Sequence, residues 1–95
     1  MEQEHILSYL RTHKEELFRR YGIRKMALFG SMAQGRADSS SDVDILIKSN
    51  RKDFFVRDAL REHLESVFKR RVDIGYFNAV RSFYRNTITP TLIDI

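Results

Sequence analysis

Residues 28–47 read LFGSMAQGRADSSSDVDILI. An apolar run ends on Gly30 and Ser31; ten residues later Asp42 and Asp44 alternate with Val43 and Ile45. Strict alternation marks a strand, because successive side chains point to opposite faces. Asp42 and Asp44 then share one face, ~6.6 Å apart along the chain at a rise of ~3.3 Å per residue. Val43 and Ile45 turn the other way, into a core, while Leu46 follows the aspartates. The run MALF, Met26 to Phe29, is too short for a helix before the glycine and reads as a buried strand within 23–29. Gly30 to Gly35 reads as a turn into a brief helix, and 37–41 as a polar loop.

Outward from this centre, residues 3–21 predict a helix. Ile6, Leu7, Leu10, Leu17, Phe18 and Tyr21 follow a 3.6-residue stripe, and Gly22 supplies the stop. On the other side, 50–70 predicts a second long helix. Ser49 or Asn50 would cap it, with Asp53 in its first turn. Phe54 or Phe55, Ala59, Leu60, Leu64, Val67 and Phe68 form its buried stripe, and Glu65–Lys69 is an i,i+4 pair. Residues 71–77 predict a third strand, with Val72, Ile74 and Tyr76 on one face. Val80, Phe83, Tyr84 and Ile88 return to helical spacing before Pro90. The apolar tail of Ile88, Leu92, Ile93 and Ile95 either closes the core or offers a patch to a partner. The expected architecture is α/β: a small mixed sheet of three or four strands, helices on one face and the carboxylates on the other. With no linker or repeat, residues 1–95 read as a single domain.

Composition narrows the function classes. The chain is 42% hydrophobic and 32% charged, with formal net charge +4 and no cysteine. Disulfides, thiol catalysis and cysteine-based metal sites are excluded. The basic residues are scattered apart from pairs such as Arg19-Arg20 and Arg70-Arg71, so direct nucleic-acid binding is not expected. The acidic start MEQEHILSYL lacks the apolar stretch of a signal peptide, and no run approaches the ~20 apolar residues that span a bilayer. The expectation is a cytoplasmic protein.

Two carboxylates on one face raise each other's pKa unless a cation lies between them. Oxygen ligands favour a hard cation, and Mg²⁺ characteristically takes one or two carboxylates and completes its shell with water and phosphate oxygens. Gly30 lets a phosphate approach the backbone, and the Ser31 hydroxyl can donate to it. Asp73 lies opposite in parity to Val72 and Ile74, so it can join Asp42 and Asp44. Three carboxylates on adjacent strands can hold two Mg²⁺ ions, characteristically ~3.5–4 Å apart. His5, His13 and His63 lack a zinc spacing and read as surface residues. Tyr9, Tyr21, Tyr76 and Tyr84 read as core or interface.

Gly30-Ser31, ten residues, Asp42-Val43-Asp44 and a later Asp73 together resemble the nucleotidyltransferase superfamily of the DNA polymerase β type. The length and the stretch 28–47 resemble its minimal members, the antitoxin halves of HEPN/MNT toxin–antitoxin pairs. The resemblance implies that Asp42, Asp44 and Asp73 bind two Mg²⁺ ions and carry catalysis, and that Gly30 and Ser31 hold the triphosphate of ATP. It implies transfer of AMP to a hydroxyl, a tyrosine in that family, of a HEPN-type ribonuclease toxin. The turn often carries arginines where this chain has Met32 and Gln34; Arg36 is the nearby substitute. A glutamate is often found near the position of Thr91. Two alternatives keep the same fold: an antitoxin that blocks its toxin by binding alone, and a transferase for a small-molecule hydroxyl.

Overall fold

The computed structural model describes residues 2–36, 38, 40–50, 52–77 and 92–95. Helix α1 (Glu2–Thr12) places acidic Glu2 and Glu4 at its positive end and buries Ile6 and Leu10. Helix α2 (Lys14–Tyr21) buries Leu17 and Tyr21. The single helix expected over 3–21 is thus two, broken at His13, whose ring nitrogen bonds the Tyr9 carbonyl at 2.9 Å. Gly22 ends α2 with φ of 65°, and its N–H returns to the Phe18 carbonyl.

Strand β1 (Ile23–Phe29) leads into α3 (Gly30–Ala33), a single turn. Strand β2 (Val43–Ser49) runs antiparallel to β1, with Leu28 opposite Ile45 and Phe29 opposite Asp44. Helix α4 (Phe54–Phe68) crosses over to β3 (Val72–Tyr76), which lies parallel to β2 with Asp44 opposite Asp73. A helical crossover is what a parallel neighbour requires. Strand β4 (Leu92–Asp94) adds to the free edge of β1, giving the order β3-β2-β1-β4. The tail therefore closes the sheet: Ile93 and Ile95 pack on the core, although Leu92 remains exposed. The helix expected over Val80 to Ile88 lies outside the described residues.

The core lies on one sheet face. Met26, Leu28, Val43, Ile45, Ile47, Val72, Ile74 and Tyr76 meet Ile6 and Leu10 of α1, Leu17 and Tyr21 of α2, and Leu60, Leu64 and Phe68 of α4. Three expectations about α4 are corrected. It begins at Phe54, and Asp53 is its cap, accepting from the Phe55 and Val56 N–H groups. Phe54, Phe55 and Ala59 are exposed, because at 3.6 residues per turn they fall off the stripe of Leu60, Leu64 and Phe68. Glu65 bonds Arg61 at 3.0 Å and the Val72 N–H at 2.9 Å rather than pairing with Lys69, whose left-handed backbone ends the helix. Leu46 does follow the aspartates in parity but is buried, next to Ala27 on the same face. Among the described residues no helix is long and apolar enough to cross a membrane.

Candidate active site

The register of β1, β2 and β3 fixes the site. Phe29, Asp44 and Asp73 are successive cross-strand neighbours, so Asp44 and Asp73 stand side by side on the face away from the core. Asp42 precedes β2 by one residue, and Val43 between the two aspartates is fully buried. Asp42 and Asp44 are half-buried, whereas Asp73 is exposed. Burial pushes the Asp44 carboxyl above its ordinary value, and the negative charges of Asp73 and then Asp42 push it further. The three aspartates expected from the sequence therefore act on one another electrostatically.

Gly30 forms the floor beneath Asp44. Its φ is +78°, and a Cβ at that position would lie 2.4 Å from Asp44 Oδ2. Two constraints demand glycine here: a left-handed backbone and a carboxylate directly against the α-carbon. The close approach expected for a phosphate is thus already used on one side by Asp44. Beyond Gly30, Ser31 opens the turn half-buried, while Met32 and Ala33 are buried in the core region. Met32 is buried and serves packing. Arg36 is exposed and donates to the Gln34 side chain, outside the carboxylate row.

The loop before Asp42 builds itself. Asp38 Oδ1 accepts from Ser40 N–H at 2.9 Å and Ser40 Oγ at 2.8 Å, and the Asp38 N–H donates to Ser41 Oγ at 2.9 Å. The two Ser40 bonds, with a third from Ser41 Oγ at 3.3 Å, hold the Asp38 carboxyl below its ordinary value. Arg70, one of the basic pair Arg70-Arg71 noted in the sequence, is only 10% exposed at its side chain. Its guanidinium donates to the Asp38 and Ser41 carbonyls, both at 2.8 Å. Gln3 donates to the Met32 and Ala33 carbonyls. Neither residue is singled out by the sequence, since a bond to a backbone carbonyl leaves no signature there. His13 and His63 are half-buried rather than at the surface, and His63 Nε2 bonds the Tyr9 hydroxyl at 3.1 Å.

Among the described residues no three His, Asp or Glu side chains are grouped to hold a metal ion by themselves. The donors present are nevertheless those of Mg²⁺, which takes few protein carboxylates and leaves room for water and phosphate. A cavity of about 250 Å³ lies elsewhere, lined by Arg20, Tyr21, Ile47, Arg57, Leu60 and Tyr76 at the opposite end of β2.

A family profile described as the nucleotidyltransferase domain matches residues 10–94. The chain belongs to this nucleotidyltransferase family. The enzyme is 36% identical over 93 residues to the protein adenylyltransferase MntA of Thermococcus cleftensis, covering 97% of this chain and 94% of that one. A Methanocaldococcus jannaschii protein, named provisionally as a protein adenylyltransferase, is 36% identical over 94 residues, with 95% and 94% covered. A crystal structure of a toxin–antitoxin with AMP-PNP superposes with a TM-score of 0.60 at 27% identity, over 72% of this nucleotidyltransferase and 57% of that chain.

Proposed function

We propose that this nucleotidyltransferase moves AMP from ATP to a tyrosine hydroxyl of a HEPN-type toxin and acts as its antitoxin, within a single domain of residues 1–95. The observation that carries the reading is the packing of Asp44 against Gly30 and beside Asp73, which leaves a half-buried carboxylate with its pKa raised. Such a cluster costs stability unless a cation arrives to offset it. The relatives named as protein adenylyltransferases, and the likeness to a toxin–antitoxin with AMP-PNP, support the substrate and the partner.

Each residue has a part in this reading. Asp42 and Asp44 would hold Mg²⁺ with the triphosphate, and Asp73 would complete the set; the ions supply charge neutralisation at the phosphates. Gly30 and Ser31 grip the triphosphate from the other side, Ser31 by donating its hydroxyl hydrogen. The acceptor oxygen attacks the α-phosphorus, forming a P–O bond. The bond from the α-phosphorus to the bridging oxygen breaks and pyrophosphate leaves. Asp73, the most exposed of the three, faces the incoming acceptor and takes its proton. Arg36 stands beyond the row and contacts the outgoing phosphates.

The test uses ATP labelled at the α-phosphate, Mg²⁺ and the purified toxin. Label should enter the toxin, label placed on the γ-phosphate should not, and chelation of Mg²⁺ should stop the transfer. Absence of α-label from the toxin would reject the reading.

A further inference from the structure

Two arms of the candidate site meet at the first turn of α1. Gln3 Nε2 donates to the Met32 carbonyl at 2.9 Å and the Ala33 carbonyl at 3.2 Å, at the end of the turn that begins with Gly30 and Ser31. Its neighbour Glu2 accepts from Arg70 Nε at 3.3 Å. Arg70 in turn holds the Asp38 and Ser41 carbonyls at 2.8 Å, one residue before Asp42. Among the described residues, the other hydrogen bonds from Met32 to Ser41 stay between Gly30 and Ser41. A four-residue helix cannot fix its own direction, and its last carbonyls need outside donors. Nη1 of Arg70 bonds both carbonyls while Nε of the same rigid plane reaches Glu2, a spread of donors that the point charge of lysine does not reproduce.

We propose that Gln3 and Arg70 are positioning residues that set the separation between Ser31 and Asp42. This rests on the reading of Ser31 as a triphosphate contact and Asp42 as a metal ligand. Gln3 acts through Ser31 and therefore on nucleotide affinity. Arg70 acts through Asp42 and therefore on the transfer step. Global weakening of the fold would not divide the two effects in this way.

The experiment compares wild type, Gln3→Ala, Arg70→Gln and Arg70→Lys by calorimetric ATP binding, steady-state kinetics and amide exchange of the metal-free protein. Arg70→Gln should lower kcat by about 10²-fold, the loss characteristic of a misplaced catalytic group, with KM for ATP nearly unchanged. Gln3→Ala should weaken ATP binding about tenfold and leave kcat nearly unchanged. Arg70→Lys, the milder change should Arg70→Gln fail to fold, should still lose about tenfold in kcat. Amide exchange should rise between Gln34 and Ser41 in the Arg70 variants. Folded variants with wild-type kcat, ATP affinity and exchange would overturn the assignment, whatever their melting temperatures. A wild type that neither binds ATP nor transfers AMP would reject the proposed function itself, and this inference with it.

Discussion

One face of the sheet is apolar from edge to edge, with Met26 and Leu28 on β1, Val43, Ile45 and Ile47 on β2, and Val72, Ile74 and Tyr76 on β3. The other face, built by the residues between them, carries Lys25, Lys48, Asp44 and Asp73, with Ala27, Leu46 and Gly75 in the row beside the aspartates. Folding energy and chemistry are thus separated by one residue along the same strands. The core face holds the register, since a slip of one residue would carry the whole apolar set to the wrong side. That register sets Asp44 opposite Asp73. The lesson is that a cluster of like charges is tolerated because the reverse face of the same strands is strongly apolar.

Substitutions should therefore divide by face. The largest effect is expected at Asp44→Asn, which keeps shape and removes charge. Transfer should fall by about 10³-fold, at the upper end of losses for a single electrostatic contact, while circular dichroism stays unchanged. Its neighbour Ile45→Ala should do the reverse. Stability should drop by about 2–5 kcal/mol in denaturant titration, and the folded fraction should keep its specific activity. Gly30→Ala tests the point where the faces meet. It should displace the Asp44 carboxylate and cost about 10²-fold in rate, with a further ~1–2 kcal/mol of stability lost to the left-handed backbone. Ser31→Ala removes one hydrogen bond to a charged oxygen, on the order of 1.5–3 kcal/mol, and should raise the ATP dissociation constant without approaching the loss at Asp44.

The smallest effect is the pH dependence. Asp44 has its pKa raised on folding, first by burial and then by Asp73 and Asp42. The folded state therefore favours the neutral carboxyl. Its contribution to stability is fully present below the ordinary carboxylate range and is lost as pH rises through the raised value. Without metal, Asp44→Asn should melt above wild type at pH 7, and the difference should vanish on acidification. A variant that melts below wild type at neutral pH would show that the charge is already compensated within the protein.

The sequence made the strands legible because their alternation is strict: β1, β2 and β3 stand within a residue or two of expectation, and Gly22 stops its helix as read. Asp44 and Asp73 fall on one face, as parity predicts; strand order and register then set them side by side, with Gly30 against Asp44. Less was visible where individual hydrogen bonds, local or long-range, decide. The first helix divides at His13, whose ring bonds the Tyr9 carbonyl, and Asp53 captures the start of α4 from Asn50 because its carboxylate reaches two free N–H groups. Strand β4 is only three residues long, too short for periodicity to register. Arg70 and Gln3 act through carbonyls, which carry no sequence signature at all.

The most direct test of the account is the mass of the toxin after incubation with ATP, Mg²⁺ and either wild type or Asp73→Asn. Asp73 is exposed and lies at the end of the carboxylate row, so its replacement should spare the fold and the binding of the partner. The account predicts a toxin heavier by whole AMP units and silenced with wild type. It predicts a toxin that binds Asp73→Asn but stays unmodified and active once the two are separated. A toxin silenced equally by both proteins with no change in mass would contradict it, and the carboxylate face would then belong to an antitoxin that works by blockade alone.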